Sequence, residues 1–106
     1  MKHLKLFEKY NIGEPVLGDW VICKDMDYPI NKELTSFINN NVGKIVSNNL
    51  SGYWVYWVKY YNIPDDLKIC FRDSKMSMRR KDIKYWTIPT NKKELETILQ
   101  ANKYNL

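Results

Sequence analysis

Residues 53–61 read Tyr53-Trp54-Val55-Tyr56-Trp57-Val58-Lys59-Tyr60-Tyr61, and nearly all of them are aromatic or β-branched. These residue types fit a pleated sheet, so the stretch predicts a strand. Both faces of this strand are rich in apolar side chains, whereas a strand with one face in water normally has one polar face. Either both faces are covered, or one of them is a binding platform. We expect the face that carries Lys59 to be the outer one, which would place Trp57 and Tyr61 at the surface.

Other stretches predict four more strands. The pattern favours strands over 20–24, 42–46, 67–71 and 82–86, with a hairpin loop over 48–52 and a loop over 73–79. For 67–71, a helical turn after Pro64 is the competing interpretation.

Two helices are predicted as well. Asn31 can cap a short helix over 32–40, where Leu34, Phe37 and Ile38 form one apolar stripe. A second helix over 90–103 follows the spacing of a capping box and carries an apolar stripe of its own.

Five short strands about ten residues apart, with one helix inserted and another at the end, indicate a β-rich α+β domain. At 106 residues the chain has the length of one domain, so we expect residues 1–106 to fold as a unit.

Three short motifs occur in a familiar order, namely Gly18-Asp19-Trp20-Val21, Gly43-Lys44-Ile45-Val46 and Val55-Tyr56-Trp57-Val58-Lys59-Tyr60. This order resembles small SH3-like barrels of the KOW, Tudor and Mind-bomb type, over residues 18–87. The resemblance implies an SH3-like five-stranded small barrel with an inserted short helix and a C-terminal helix. It also implies binding of proteins, methylated tails or nucleic acids rather than catalysis.

The positive charge is concentrated in one segment. The formal net charge is +5, and residues 72–84 hold six basic and two acidic residues, against eleven and ten in the rest of the chain. Such a segment can follow a phosphate backbone or an acidic protein face. It can equally be a solvated loop that keeps a small protein in solution. Its basic residues are Arg72, Lys75, Arg79, Arg80, Lys81 and Lys84.

The residue inventory disfavours an enzyme. The single histidine, His3, lies next to the N-terminus, and Cys23 and Cys70 are far apart, so we expect no catalytic triad, metal site or cofactor. The two cysteines can form one disulfide, but we favour reduced thiols. The acidic pairs Asp25/Asp27 and Asp65/Asp66 flank turns near prolines, and turn chemistry explains them.

Composition also suggests where the protein works. The first residues hold no secretory leader and no stretch is apolar enough to span a membrane, so we expect a cytoplasmic protein. Asn, Lys, Ile and Tyr have AT-rich codons, and their abundance points to a low-GC bacterium, its phages or a large DNA virus.

The leading hypothesis is a non-enzymatic phage- or virus-type accessory protein that binds nucleic acid or a nucleoprotein complex. The basic residues of segment 72–84 would supply the electrostatics, and Trp57 and Tyr61 the stacking or packing. The alternative is a protein-directed inhibitor or adaptor, for example an anti-defence factor, that binds a host protein or another acidic protein surface through an aromatic hot spot. The oligomeric state stays open, since an aromatic strand at a sheet edge could pair with a second copy.

Overall fold

The computed structural model describes residues 13–24, 31–49 and 55–104. Within them the chain forms a five-stranded sheet and two α-helices, which confirms the α+β class. The elements are β1 (Trp20–Cys23), α1 (Lys32–Asn39), β2 (Gly43–Asn49), β3 (Val55–Lys59), β4 (Lys75–Arg79), β5 (Ile83–Thr87) and α2 (Lys92–Tyr104). Short 3-10 helices span Asp65–Cys70, Arg80–Asp82 and Pro89–Asn91. His3, Tyr53, Trp54 and the pair Asp25/Asp27 lie outside the described residues.

All neighbouring strands are antiparallel, and their order across the sheet is β4-β3-β2-β1-β5. The aromatic strand β3 is therefore paired on both sides. This corrects the idea that it could offer an edge to a second copy of the chain, because its backbone groups are already used by β2 and β4.

The sheet is strongly curled. Strands β4 and β5 occupy opposite edges, yet only the 3-10 turn Arg80–Asp82 joins them. Four Cα steps reach at most about 15 Å, whereas the edges of a flat five-stranded sheet are about 19 Å apart. The two edges therefore bend toward each other at this end. No ladder joins β4 to β5 among the described residues, so the sheet remains open.

Two predictions between residues 65 and 79 are wrong. Residues 67–71 do not form a strand, because Asp65–Cys70 is a 3-10 helix in which Ile69 is 90% exposed. The competing helical turn after Pro64 is the correct interpretation. Residues 73–79 are not a loop, since β4 occupies Lys75–Arg79 and buries Met76 and Met78.

The main core lies on the inner, concave face of the sheet. All five strands contribute to it, and α1 covers it with Leu34 and Ile38. Tyr60 packs edge-on against Phe37 and Phe71, with ring centroids 5.9 and 5.8 Å away. Helix α1 begins as predicted, since the Leu34 amide donates to Oδ1 of Asn31 at 3.0 Å.

Helix α2 packs on the outer face of the sheet, mainly over β1 and β5. Leu95 and Leu99 pack there against Ile22, with Trp20 and Tyr85 at the border. In the described part of the chain, no helix is long and apolar enough to cross a membrane.

A glycine is required where β2 begins. A Cβ at Gly43 would overlap Cγ1 of Val58 and come within 3.0 Å of Cζ of Tyr60. Close approach of these side chains to the backbone therefore selects glycine in the second motif. Gly18 has φ +94°, in the region that favours glycine, at the turn that leads into β1.

Candidate nucleic-acid interface

Three lysines form a row across the outer face of the sheet. In the strand register, Lys59 of β3 is paired with Lys44 of β2 on one side and with Lys75 of β4 on the other. Paired residues point to the same face, and neighbouring strands are about 4.8 Å apart. All three residues are half-buried. We call Lys44, Lys59 and Lys75 the lysine row.

An aromatic side chain stands next to this row. Trp57 is half-buried on β3, and its cross-strand partners are Ser47 and Ser77. Serine is short, so neither partner has the reach to cover the indole. Arg79, opposite Val55 in the same register, continues the exposed face of β4.

The burial pattern of β3 confirms which face is outer. Tyr56, Val58 and Tyr60 are at most 2% exposed, whereas Trp57 and Lys59 are half-buried and Tyr61 is 41% exposed. The two aromatic residues predicted for the surface, Trp57 and Tyr61, are thus both accessible.

The described part of the chain places no counter-charge beside the lysine row. Within the described residues, no carboxylate is within ion-pair distance of the three ammonium groups. Two unit charges 5 Å apart repel by about 0.8 kcal/mol even in bulk water. Like charges directly opposite in a sheet are destabilising, so we expect the row to cost the free protein some stability.

A second group of cations and aromatic rings adjoins the row. The ammonium groups of Lys44 and Lys92 lie 5.3 and 4.6 Å from the ring centroid of Trp20. Tyr61 lies 6.0 Å from that ring, and Lys59 lies 5.6 Å from the Tyr61 ring. Trp20 is held in place because its Nε1 donates to the Pro89 carbonyl at 3.0 Å. We call these five side chains the Trp20 cluster.

The fold distributes the basic segment 72–84 over several places. Lys75 and Arg79 join the outer face of β4, and Arg72 begins the tight turn before it. That turn is closed by reciprocal 2.9 Å backbone bonds between Arg72 and Lys75, and its central Asp73 and Ser74 have positive φ. Lys81 and Lys84 are exposed on the 3-10 turn and on β5. The segment is therefore not one continuous patch.

Arg80 is engaged within the protein. Its Nε donates to Oε2 of Glu14 at 2.6 Å, and its guanidinium carbon lies 4.5 Å from the ring centroid of Trp86. It also donates to the Ile83 carbonyl at 3.3 Å. These contacts hold Arg80 against the protein in the 3-10 turn between β4 and β5.

The remaining candidates for chemistry are two aspartates and two cysteines. Asp65 and Asp66 are exposed, and Asp65 pairs with Lys68 at 3.0 Å. Both cysteines are free, as favoured, and burial raises the pKa of the Cys23 thiol to about 12. Among the described side chains, no three His, Cys, Asp or Glu residues come together to hold a metal ion.

Sequence reasoning missed Lys44, Lys59, Lys92 and Trp20 as members of a site. Trp20 and Lys44 are each next in sequence to a buried residue, Val21 and Ile45. This alternation was a signal that both side chains lie on the outer face. Their alignment with Lys59 depends on the strand register, which pairs residues that are 15 or more positions apart in the sequence.

The chain was compared with protein-family models, curated proteins and solved structures. None of them matches it.

Proposed function

We propose that this chain is a non-enzymatic protein that binds single-stranded nucleic acid on the outer face of β2, β3 and β4. The observation that carries the proposal is the lysine row, three cations in register on adjacent strands without a carboxylate partner in the described structure. A phosphate backbone would supply the counter-charges that the described part of the chain does not place beside the row.

Trp57 favours a single strand over a duplex. The indole lies between two serines, directly beside the lysine row. Sheet faces that bind single strands combine cations for the phosphates with aromatic rings on which unstacked bases stack. In a duplex the bases are already stacked, so Trp57 would contribute little.

Because Tyr61 borders both the lysine row and the Trp20 cluster, it extends the aromatic surface. In this proposal the nucleic-acid strand crosses the sheet from Lys75 toward Lys44. Arg79 and Arg72 lie at the β4 side of that path, and Lys81 and Lys84 add positive potential at a distance. Arg80 is assigned to stability instead of binding.

We also propose that the curled sheet is a partly open SH3-like barrel of the KOW, Tudor and Mind-bomb type. The proposal is supported by the five antiparallel strands, by the edges that bend together and by the position of Gly43 in a motif of the resemblance. Modules of this kind host many binding functions, so the fold does not select the ligand.

The composition supports an origin in an AT-rich genome, and we propose a phage- or virus-encoded accessory protein. The two free thiols agree with a reducing compartment such as the cytoplasm of the host cell.

Binding is tested with fluorescently labelled 12-mers of single-stranded DNA and RNA and with the matching duplex. We expect tighter binding of the single strands, and a loss of roughly 5- to 150-fold for Trp57→Leu, from the usual stacking contribution of 1–3 kcal/mol. Lys32→Gln, a charge change on α1, is the matched control and should bind like the parent protein.

Failure to bind any of these nucleic acids at low salt would overturn the proposal. A host-protein partner that survives nuclease treatment in a pull-down would then favour the inhibitor or adaptor hypothesis.

A further inference from the structure

A polar cleft opens between Tyr61 and α2. Its volume is about 210 Å³, and its lining includes Asn40, Asn41, Tyr61, Lys92 and Glu96. Asn62, which follows Tyr61 and also lines the cleft, has φ +56° and so turns the chain sharply at this wall. The cleft lies beside the Trp20 cluster and shares Tyr61 and Lys92 with it.

One end of the cleft is cationic. Lys92 lines it while its ammonium group rests 4.6 Å from the Trp20 ring centroid. Lys44 lies near the same ring and Lys59 near Tyr61, so three ammonium groups surround two adjacent aromatic rings. Cations assembled in this way favour a compact anion such as a phosphate.

The other side of the cleft presents hydrogen-bond acceptors. Asn40 Nδ2 donates to the Ser36 carbonyl at 2.8 Å, and Asn41 Nδ2 donates to the Phe37 carbonyl at 2.7 Å. Each Nδ2 therefore already uses one of its two hydrogens within α1, whereas no donor to either amide oxygen is seen among the described residues. The Glu96 carboxylate adds a third acceptor, placed one helical turn beyond Lys92.

We propose that this cleft binds one nucleoside monophosphate unit, either a free mononucleotide or the end of a bound strand. The phosphate contacts Lys92, and the base packs against Tyr61 with its edge toward Asn40, Asn41 and Glu96. Because these groups accept hydrogen bonds, the cleft selects a base with an exocyclic amino group, such as cytosine, over uracil. The strand-end form rests on the proposed function, but the free-mononucleotide form does not.

The test is a titration followed by NMR, with cytidine 5′-monophosphate, uridine 5′-monophosphate, cytidine and inorganic phosphate as probes. We expect the cytidine nucleotide to bind at least several-fold more tightly than each of the other three. Lys92→Gln should weaken it about tenfold, whereas the adjacent exposed Lys93→Gln should leave its affinity unchanged. Glu96→Gln should reduce the preference for cytosine over uracil.

A cytidine nucleotide that binds no better than cytidine, or that binds Lys92→Gln and Lys93→Gln equally well, would overturn the inference. To distinguish a free mononucleotide from the end of a bound strand, we would use 12-mers that carry a 5′-phosphate, a 3′-phosphate or neither. Tighter binding of a phosphorylated end, lost in Lys92→Gln, supports the strand end, whereas mononucleotide binding alone supports a free nucleotide.

The two proposals fail in different ways. If the mononucleotide does not bind but an unmodified 12-mer still depends on Lys59 and Lys75, only the cleft inference is wrong. If the mononucleotide binds and no 12-mer does, the cleft inference stands and the proposed function is wrong.

Discussion

Lys59 on β3 lies directly opposite Lys75 on β4, in the same antiparallel register that pairs Trp57 with Ser77. Sheets usually place opposite charges, or small polar groups, at such positions, since like charges face each other at a cost. Under the proposed function, stability and ligand binding therefore make opposite demands on this pair.

The first prediction concerns this pair. Lys75→Glu replaces a repulsive cross-strand pair with an attractive one, so the free energy of unfolding should rise by roughly 0.2–1 kcal/mol. The same substitution should weaken single-stranded DNA binding. Urea unfolding followed by tryptophan fluorescence, combined with anisotropy titrations, measures both effects.

High salt provides the control for Lys75→Glu. In 1 M NaCl the Debye length is about 3 Å, so the stability difference from the parent protein should nearly vanish. A variant that is less stable at low salt, or that binds DNA as tightly as the parent, would contradict the assignment of Lys75.

A second prediction separates Arg80 from the binding surface. Arg80→Gln removes its contact with the Trp86 ring and its ion pair with Glu14, and should lower stability by roughly 0.5–2 kcal/mol. Its affinity for single-stranded DNA should stay within about twofold of the parent value, whereas Lys75→Gln should lose more. Equal losses of affinity in the two variants would place Arg80 in the interface after all.

The third prediction tests the close packing at Gly43. Gly43→Ala should lower the free energy of unfolding by roughly 1–3 kcal/mol, because its Cβ would overlap Val58 and crowd Tyr60. Val58→Ala makes room, so the double variant should be more stable than the sum of the two single losses indicates. Strict additivity in chemical unfolding would show that the overlap with Val58 is not the cause.

The fourth prediction concerns alkaline pH. Burial raises the pKa of the Cys23 thiol from 9.0 to about 12, and it raises the pKa of the neighbouring Tyr60 hydroxyl well above 10. Groups whose pKa is raised by folding stabilise the protein fully below their unfolded pKa, and this contribution is lost as the pH rises toward the folded value. The free energy of unfolding should therefore fall between about pH 9 and 12.

Two variants identify which buried group causes this loss of stability at alkaline pH. Cys23→Ala should be less stable at pH 7 but should show a shallower decline, and Tyr60→Phe should show a shallower decline above about pH 10. Urea unfolding over pH 7–11 measures both curves, with lysine titration common to all variants. Three parallel curves would mean that neither buried group is responsible.

Several elements of the fold followed from local sequence. β3 and its outer face were predictable because the stretch is aromatic or β-branched except for one lysine, Lys59, which marks the outer face. α1 was predictable because Asn31 stands three residues before Leu34, the spacing of an N-cap. In the structure the Asn31 side chain accepts a hydrogen bond from the Leu34 amide. Such signals lie within a few neighbouring residues.

β4 was missed because Lys75-Met76-Ser77-Met78-Arg79 contains no β-branched or aromatic residue, and only the alternation of its two methionines indicated a strand. The opposite error occurred at Leu67–Phe71, where a strand was predicted although most of the segment is a 3-10 helix. Its apolar residues alternate, but Asp65 and Asp66 after Pro64 favour the first turn of a helix, and Ile69 points into solvent.

The candidate site was predictable only in part. Trp57, Tyr61, Lys75 and Arg79 were identified from the aromatic strand and the basic segment. The lysine row could not be identified, because its members come from three strands and meet only through the register. Arg80 looked like its neighbours in sequence, and only the structure shows its contacts with Glu14 and Trp86.

The salt dependence of single-stranded DNA affinity tests the central claim most directly. Each phosphate neutralised by a lysine contributes about −0.7 to the slope of log K against log salt concentration. The parent protein should show a slope of about −2 or steeper, and the triple variant Lys44→Gln/Lys59→Gln/Lys75→Gln should lose about 2 units of it. A parent slope near zero, or a triple variant whose slope and affinity match those of Lys32→Gln, would contradict the account.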